Sequence, residues 1–320
     1  MSLQFYDAVK QLQDECIKFP AFDTAYEQIE TNLKLFRATG VAQNLLILGE
    51  SGAGKTSLAE LFANEYPMVE LPERNLIPVL KVEVPAAATI AGTVEAVLAQ
   101  LGDLQPERGT VSVKTARAVK IARSCGVEML IFDEAQHIQD RGRAHSQYFV
   151  GDWLKSFMDA LGAPVTLLGL PRTQILLQVN EQLRRRFTHR ISLTTQQDAD
   201  SNEADSLRLF TSLASALPLP LDPRPYQWGE LARRLHFATD GRVAYVKRIL
   251  VSAYSQAVLE SSNSIGINDL SRAFTTTIWP SGIGGLNPFH PSFPFRPLDR
   301  AGEPFQIGEM SGSAPARRKH

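Results

Sequence analysis

Apolar positions along this chain follow two spacings. Four stretches are apolar runs of strand length, NLLILG (44–49), IPVLKVEVP (77–85), VEMLIFDEA (127–135) and APVTLLGLP (163–171), and HRISLT (189–194) reads as a fifth strand. Short runs of this kind, bounded by turn residues, predict strands buried on both faces. Elsewhere the apolar residues return every three or four positions. Phe22, Tyr26, Ile29, Leu33 and Phe36 mark one face of a helix that precedes the first run. Strands alternating with helical stretches predict an α/β fold on a five-stranded parallel sheet covered on both faces. After about residue 200 the strand pattern stops. Residues 201–217, 225–239, 242–260 and 267–277 read as four helices, the last two introduced by DG and IGIND turn and cap signals.

Beyond Trp279 the chain is rich in proline and glycine, with Phe289, Phe293, Phe295 and Phe305 scattered among them. Such a segment is expected not to fold alone, its aromatics being left to dock on a partner. The expected organisation is an N-terminal helical segment (1–42), an α/β domain (43–198), a helical domain (199–278) and a tail (279–320). No internal repeat is visible.

Composition narrows the class. A chain of 320 residues, 44% hydrophobic and 21% charged, has the make-up of a globular protein with a real core. Its 33 lysines and arginines against 34 acids leave a net charge of −1, so any site for a polyanion must be local. Cys16 and Cys125 show neither metal nor disulfide spacing and suit a reducing cytosol. Asp7, Lys10, Asp14 and Glu15 interrupt the N-terminus, and no apolar run is long enough to span a bilayer, so a cytoplasmic protein with no membrane partner is expected.

The first strand breaks into Gly49-Glu50-Ser51-Gly52-Ala53-Gly54-Lys55-Thr56, followed by Ser57. The run fits G-x-x-x-x-G-K-[ST] between a strand and a helix, the setting that motif needs. Glycines let the backbone N–H groups turn toward phosphate oxygens, and the helix N-terminus adds its positive dipole end. Lys55 would reach the β- and γ-phosphates of ATP and the Thr56 hydroxyl would ligate Mg2+. A rival reading takes GESGA as a nucleophile elbow with Ser51 as nucleophile. There the last glycine is replaced by Ala53, no oxyanion loop precedes the motif, and Lys55 goes unexplained. The third run ends in Asp133 and Glu134, where parallel sheets present ligand groups. Asp133 would hold the Mg2+ and Glu134 would orient and deprotonate the attacking water; the bland alternative is two acids that cap a strand. His137 is a further candidate for the phosphate, and the histidines show no metal spacing.

FPAF and the helix at 22–36, LLILGESGAGKT, MLIFDEAQH, GLP after the fourth run, QLRRRF and DGRVAYVKRIL together resemble the AAA+ ATPases of transposons called TniB or TnsC, over about residues 15–275. The resemblance implies a P-loop AAA+ module with a five-stranded parallel sheet followed by a small helical lid domain. It also implies an ATP-dependent regulator of DNA transposition, assembling as a homo-oligomeric ring or helical filament on duplex DNA. Such a protein links a target-site selection protein to the transposase, and ATP hydrolysis takes the assembly apart. In AAA+ enzymes an arginine just ahead of the fifth strand points into the neighbour's nucleotide. Among Arg184, Arg185, Arg186 and Arg190, Arg186 is favoured and Arg185 comes second, the alternative being a solvated basic turn. Arg242 would be the nucleotide-sensing arginine of the helical domain, although related patterns place it about two positions later, at Ala244. The polar sensor that often ends the fourth strand is replaced by Leu170, which leaves Thr166 or nothing in that role.

For DNA, Lys114, Arg117, Lys120 and Arg123 recur every three residues. On a helix such a stripe drifts by about 60° per step, so Lys114 and Arg117 are favoured, with Lys120 behind them. A helix that merely solvates its charges is the alternative. Three other functions remain open. A GTPase would carry N-K-x-D, which is not found. A monomeric small-molecule kinase leaves the arginine cluster without a task. An AAA+ ATPase of a secretion or cell-wall assembly system would bring a membrane or wall-binding segment.

Overall fold

Each of the five stretches forms a strand, and the five pair in one sheet. The computed structural model describes residues 3–14, 19–86, 88–138, 144–193 and 199–306. The chain divides into two compact units, Lys18–Gln196 and Met1–Ile17 together with Gln197–His320. Helix α1 (Leu3–Asp14) belongs to the second unit. The first unit runs α2 (Pro20–Thr39), β1 (Leu45–Leu48), α3 (Lys55–Glu65), β2 (Val69–Glu70), β3 (Asn75–Leu76), β4 (Val79–Glu83), α4 (Ile90–Gln100) and α5 (Val111–Ser124). It continues through β5 (Met129–Asp133), α6 (Ala144–Leu161), β6 (Val165–Gly169), α7 (Gln174–Val179), α8 (Glu181–Arg186) and β7 (His189–Ser192).

Strand order is β4-β5-β6-β1-β7, all parallel. The three central strands, β5, β6 and β1, are buried at every residue, which is why their sequences read as continuous apolar runs. Strand β7 lies at an edge and is mostly exposed. Its register sets Leu45 opposite His189 and Leu48 opposite Ser192. On the other side of β1, Leu48 pairs with Gly169, so the C-terminal ends of β1 and β6 lie level. The antiparallel β2–β3 pair was not expected: strands of two residues carry no readable period, and Pro72 sits in the connection.

The second unit holds α1, α9 (Ala199–Ser215), α10 (Trp228–Thr239), α11 (Val243–Leu259) and α12 (Ile267–Thr277). Two boundaries drawn from sequence are corrected here. The segment 1–42 is split, because the apolar face Phe5, Ala8 and Leu12 of α1 is buried in the helical unit's core. Phe5 stacks on Tyr254 at 5.4 Å, and the Lys247 ammonium donates to Gln13 O at 2.6 Å. Helix α2 instead belongs with the sheet.

The tail, for its described part to residue 306, is integral to the helical core and not a separate unfolded segment. Phe289, Phe293, Leu298 and Phe305 are buried there, so these aromatics are not left for a partner. What holds them is Arg234 on α10, itself 2% exposed. Its guanidinium donates to Pro288 O (2.6 Å) and His290 O (2.8 Å), pairs with Glu230 at 2.7 Å, and lies 4.0 Å from the centre of the Tyr226 ring and 4.7 Å from that of Phe295. The sequence hid this because aperiodic aromatics bury as well as periodic ones once a helix face and a cation receive them.

Candidate nucleotide site

At the end of β1 the Gly49 N–H still donates across the sheet to Gly169 O at 3.1 Å. The chain then turns through Gly52 (φ 81°) and Gly54 (φ 94°), left-handed positions that glycine takes without a Cβ penalty. Gly49 is tight for a different reason: an added Cβ would stand 3.1 Å from Ala53 Cβ and 3.2 Å from Leu193 Cβ. Helix α3 then starts at Lys55 with no acid in its first turn, so its positive N-terminal end is not neutralised locally. Lys55 is buried, and its ammonium donates to Gly49 O at 2.9 Å and Glu50 O at 3.0 Å. These two carbonyls hold the ammonium inside the loop, and a phosphate oxygen, carrying charge, is a stronger acceptor than either. Thr56 and Ser57, in the first turn of α3, are exposed, as is Ser51, while Glu50 is half-buried. Ser51 has an ordinary φ and stands four residues ahead of α3, not at the strained strand-to-helix corner of a nucleophile elbow.

Asp133 closes β5 and is 1% exposed. Its Oδ1 accepts from Glu134 N–H at 2.8 Å, whereas Oδ2 is buried without a hydrogen-bond partner. A buried carboxylate oxygen left unpaired is costly, and its chemistry fits a hard cation. Among the described residues no cluster of three or more His, Cys, Asp or Glu side chains could hold a metal ion. Glu134 sits at φ 54°, an uncommon conformation for a side-chain-bearing residue that costs about 1 kcal/mol or more. Its Oε2 accepts from the Gln136 amide, and His137 Nε2 lies 3.8 Å from the same oxygen. Gln136, 2% exposed, also accepts from Leu170 N–H at 3.0 Å, just past the end of β6. This residue was missed in the sequence. It stands in DEAQH, but a glutamine carries no signal of its own until its two partners are known.

Other candidates are placed differently. Thr166 lies near the start of β6, in register with Leu45 and Ile131, so it cannot serve as a sensor at the strand's C-terminal end. Arg242 caps α11 in the helical unit and pairs there with Asp240 at 2.9 Å. Arg186 is half-buried and grips Asp159 of α6 with the Nε–Nη2 edge of its guanidinium (Nε 3.1 Å, Nη2 2.5 and 2.7 Å). Arg185 is 77% exposed and pairs only along its own helix, with Glu181 at 2.6 Å. On α5, Lys114 is buried against Glu95, which removes it as a DNA contact. Arg117 is tied to Asp103 (2.6 Å), Arg108 O (3.0 Å) and Gln105 O (2.9 Å), and the Arg123 guanidinium donates to Ala160 O. Lys120 alone of the three proposed contacts is exposed. The preference for the N-terminal pair is thus reversed: the helix face next to α4 takes their charges into ion pairs.

A glycine loop opening a helix, a buried lysine inside it, an Asp-Glu pair on the same edge of a five-stranded parallel sheet, and a helical unit after it define a P-loop ATPase of the AAA+ class. The chain belongs to the TniB family, whose model, "Bacterial TniB protein", matches residues 8–196. Its fold is similar to that of the Aeropyrum pernix ORC1 protein solved in complex with DNA, at 14% identity and a TM-score of 0.62 over 84% of this chain and 69% of that one. It is also similar to the ORC2 protein of the same organism, solved as ADPNP-ADP complexes (15% identity, TM-score 0.59, 83% and 71%). A third likeness is to Cdc6p of Pyrobaculum aerophilum (14%, 0.59, 82% and 69%). A search of curated proteins finds no match. Among the described residues no helix is long and apolar enough to cross a membrane.

Proposed function

We propose that this ATPase is a regulator of DNA transposition that assembles on duplex DNA as a ring or helical filament and links a target-site selection protein to the transposase. Its membership of the TniB family is the observation that carries this reading. The likeness in fold to an ORC1 protein solved in complex with DNA supports DNA as a partner. Within the site, Lys55 leaves its two carbonyls for the β- and γ-phosphates. Thr56 and Asp133 would hold Mg2+, which would supply charge neutralisation at the phosphates. Glu134 takes the proton of the attacking water. Arg185 is the arginine offered to a neighbouring copy's nucleotide, while Arg186 fastens α8 to α6. Lys120 contributes a phosphate contact that is weak in one subunit and multiplied by assembly.

Electron microscopy of the protein with duplex DNA and a non-hydrolysable ATP analogue tests the proposal. Rings or striated rods are expected. Bare DNA among single particles would overturn it.

A further inference from the structure

The two hydrogen bonds of Gln136 join groups that belong to different strands. Its Nε2 donates to the Glu134 carboxylate and its Oε1 accepts from Leu170 N–H at 3.0 Å. A carboxylate only accepts and a backbone N–H only donates, so the amide can face just one way round. Gly169 makes room for this arrangement: a Cβ there would lie 3.0 Å from Gln136 Oε1 and 2.2 Å from the Thr173 hydroxyl oxygen. Leu170 follows β6, the strand between β5 and β1, and Gly169 is level with the last residue of β1, where the phosphate loop begins. Glu134 needs such a tether. It follows the strand in a left-handed conformation, and only part of its side chain is buried.

We propose that Gln136 is a positioning residue for ATP hydrolysis, clamping the Glu134 carboxylate to the end of β6 so that its other oxygen faces the attacking water. This rests on the role given to Glu134 above. In the hydrolytic step the water oxygen bonds to the γ-phosphorus as the bond to the β,γ-bridging oxygen breaks. The electron pair leaves with ADP, and the water proton passes to Glu134. Gln136 neither gives nor takes a proton. It removes the rotamers in which Glu134 points elsewhere, and a carboxylate misplaced by about 1 Å loses on the order of a hundredfold in rate.

The test uses the full chain and two substitutions. Gln136→Met keeps the volume and loses both bonds; Gln136→Glu keeps the acceptor for Leu170 and loses the donor to Glu134. Both are expected to lower kcat by about tenfold to a hundredfold with KM changed by less than about threefold. In the nucleotide-free protein, hydrogen exchange at the Leu170 amide should quicken with Met and stay slow with Glu. In a Glu134→Gln background, Gln136→Met should change the residual turnover by less than about twofold, because the tether has lost the base it served. Unchanged kcat in both variants, or an equal loss with and without Glu134, overturns the proposal. If Gln136→Met fails to fold, the Glu variant decides by the same kcat criterion. Should Glu134→Gln alone leave turnover intact, the assignment of the base fails, and Leu170 exchange still reports whether the tether exists.

Discussion

Lys55 spends the nucleotide-free state as a buried cation bonded to two backbone carbonyls, and its value lies in giving them up. Lys55→Ala should therefore abolish ATP binding, read by titration with a fluorescent ATP analogue. Glu134→Gln should bind ATP normally and turn over about a hundredfold or more slowly in a phosphate-release assay. Both residues were legible from spacing, because a phosphate loop and a strand-end acid pair restrict residue type at each position. His236 was not. Burial on α10 pushes its imidazole below the ordinary 6.5, and Asp240 pulls it partly back. Below pH 6.5 the unfolded chain takes up a proton that the folded one refuses, so stability falls with pH until the folded pKa is passed. Above 6.5 this group contributes no slope. Urea midpoints at pH 7.5 and 5.5 should differ less for His236→Phe than for the parent.

Elements owe their legibility to burial. Strands β1, β5 and β6 could be read directly because both faces are covered, while β2 and β3 are too short for any period. The arginines of α8 stood out in the sequence as a cluster ahead of the fifth strand, yet their roles depend on α6 beside it. Asp159 engages Arg186, and Asp152 accepts from Asn180 at 2.9 Å, where the chain enters α8. The tail is the clearest case. Proline and glycine predict no regular element, and between α12 and residue 306 only one short helical turn forms, at Gly284–Leu286. The segment is nevertheless fastened by a cation between two rings. Arg234→Ala should destabilise the helical unit by about 3–5 kcal/mol in denaturant titration, since Glu230 and the carbonyls of Pro288 and His290 lose their shared partner. Arg233→Ala, whose guanidinium lies 4.9 Å from the Phe295 ring centre on an exposed side chain, should cost about 1 kcal/mol or less.

For the whole molecule, a net charge of −1 argues that DNA binding, if it depends on Lys120 and its like, appears only when copies add their contacts. Lys120→Glu should weaken assembly on DNA and flatten its salt dependence, with ATP affinity unchanged. Arg185→Ala and Lys55→Ala proteins, each inactive, should regain part of the ATPase rate when mixed if the arginine acts across a subunit junction. No recovery at any ratio would rule that out, and recovery with Arg186→Ala in place of Arg185→Ala would return the role to Arg186.

By itself the sequence determined the α/β class, the five strands, the four helices after them and the phosphate-binding chemistry, because each is written in local spacing: period, turn residues and a motif eight residues long. Only the tertiary structure decided where α1 and the aromatic tail are buried, that Lys114 and Arg186 are neutralised by acids on neighbouring helices, and that Gln136 bridges two strand ends. These depend on which surfaces meet. A side chain's charge or amide acquires its role from a partner far along the chain, and no local pattern names that partner.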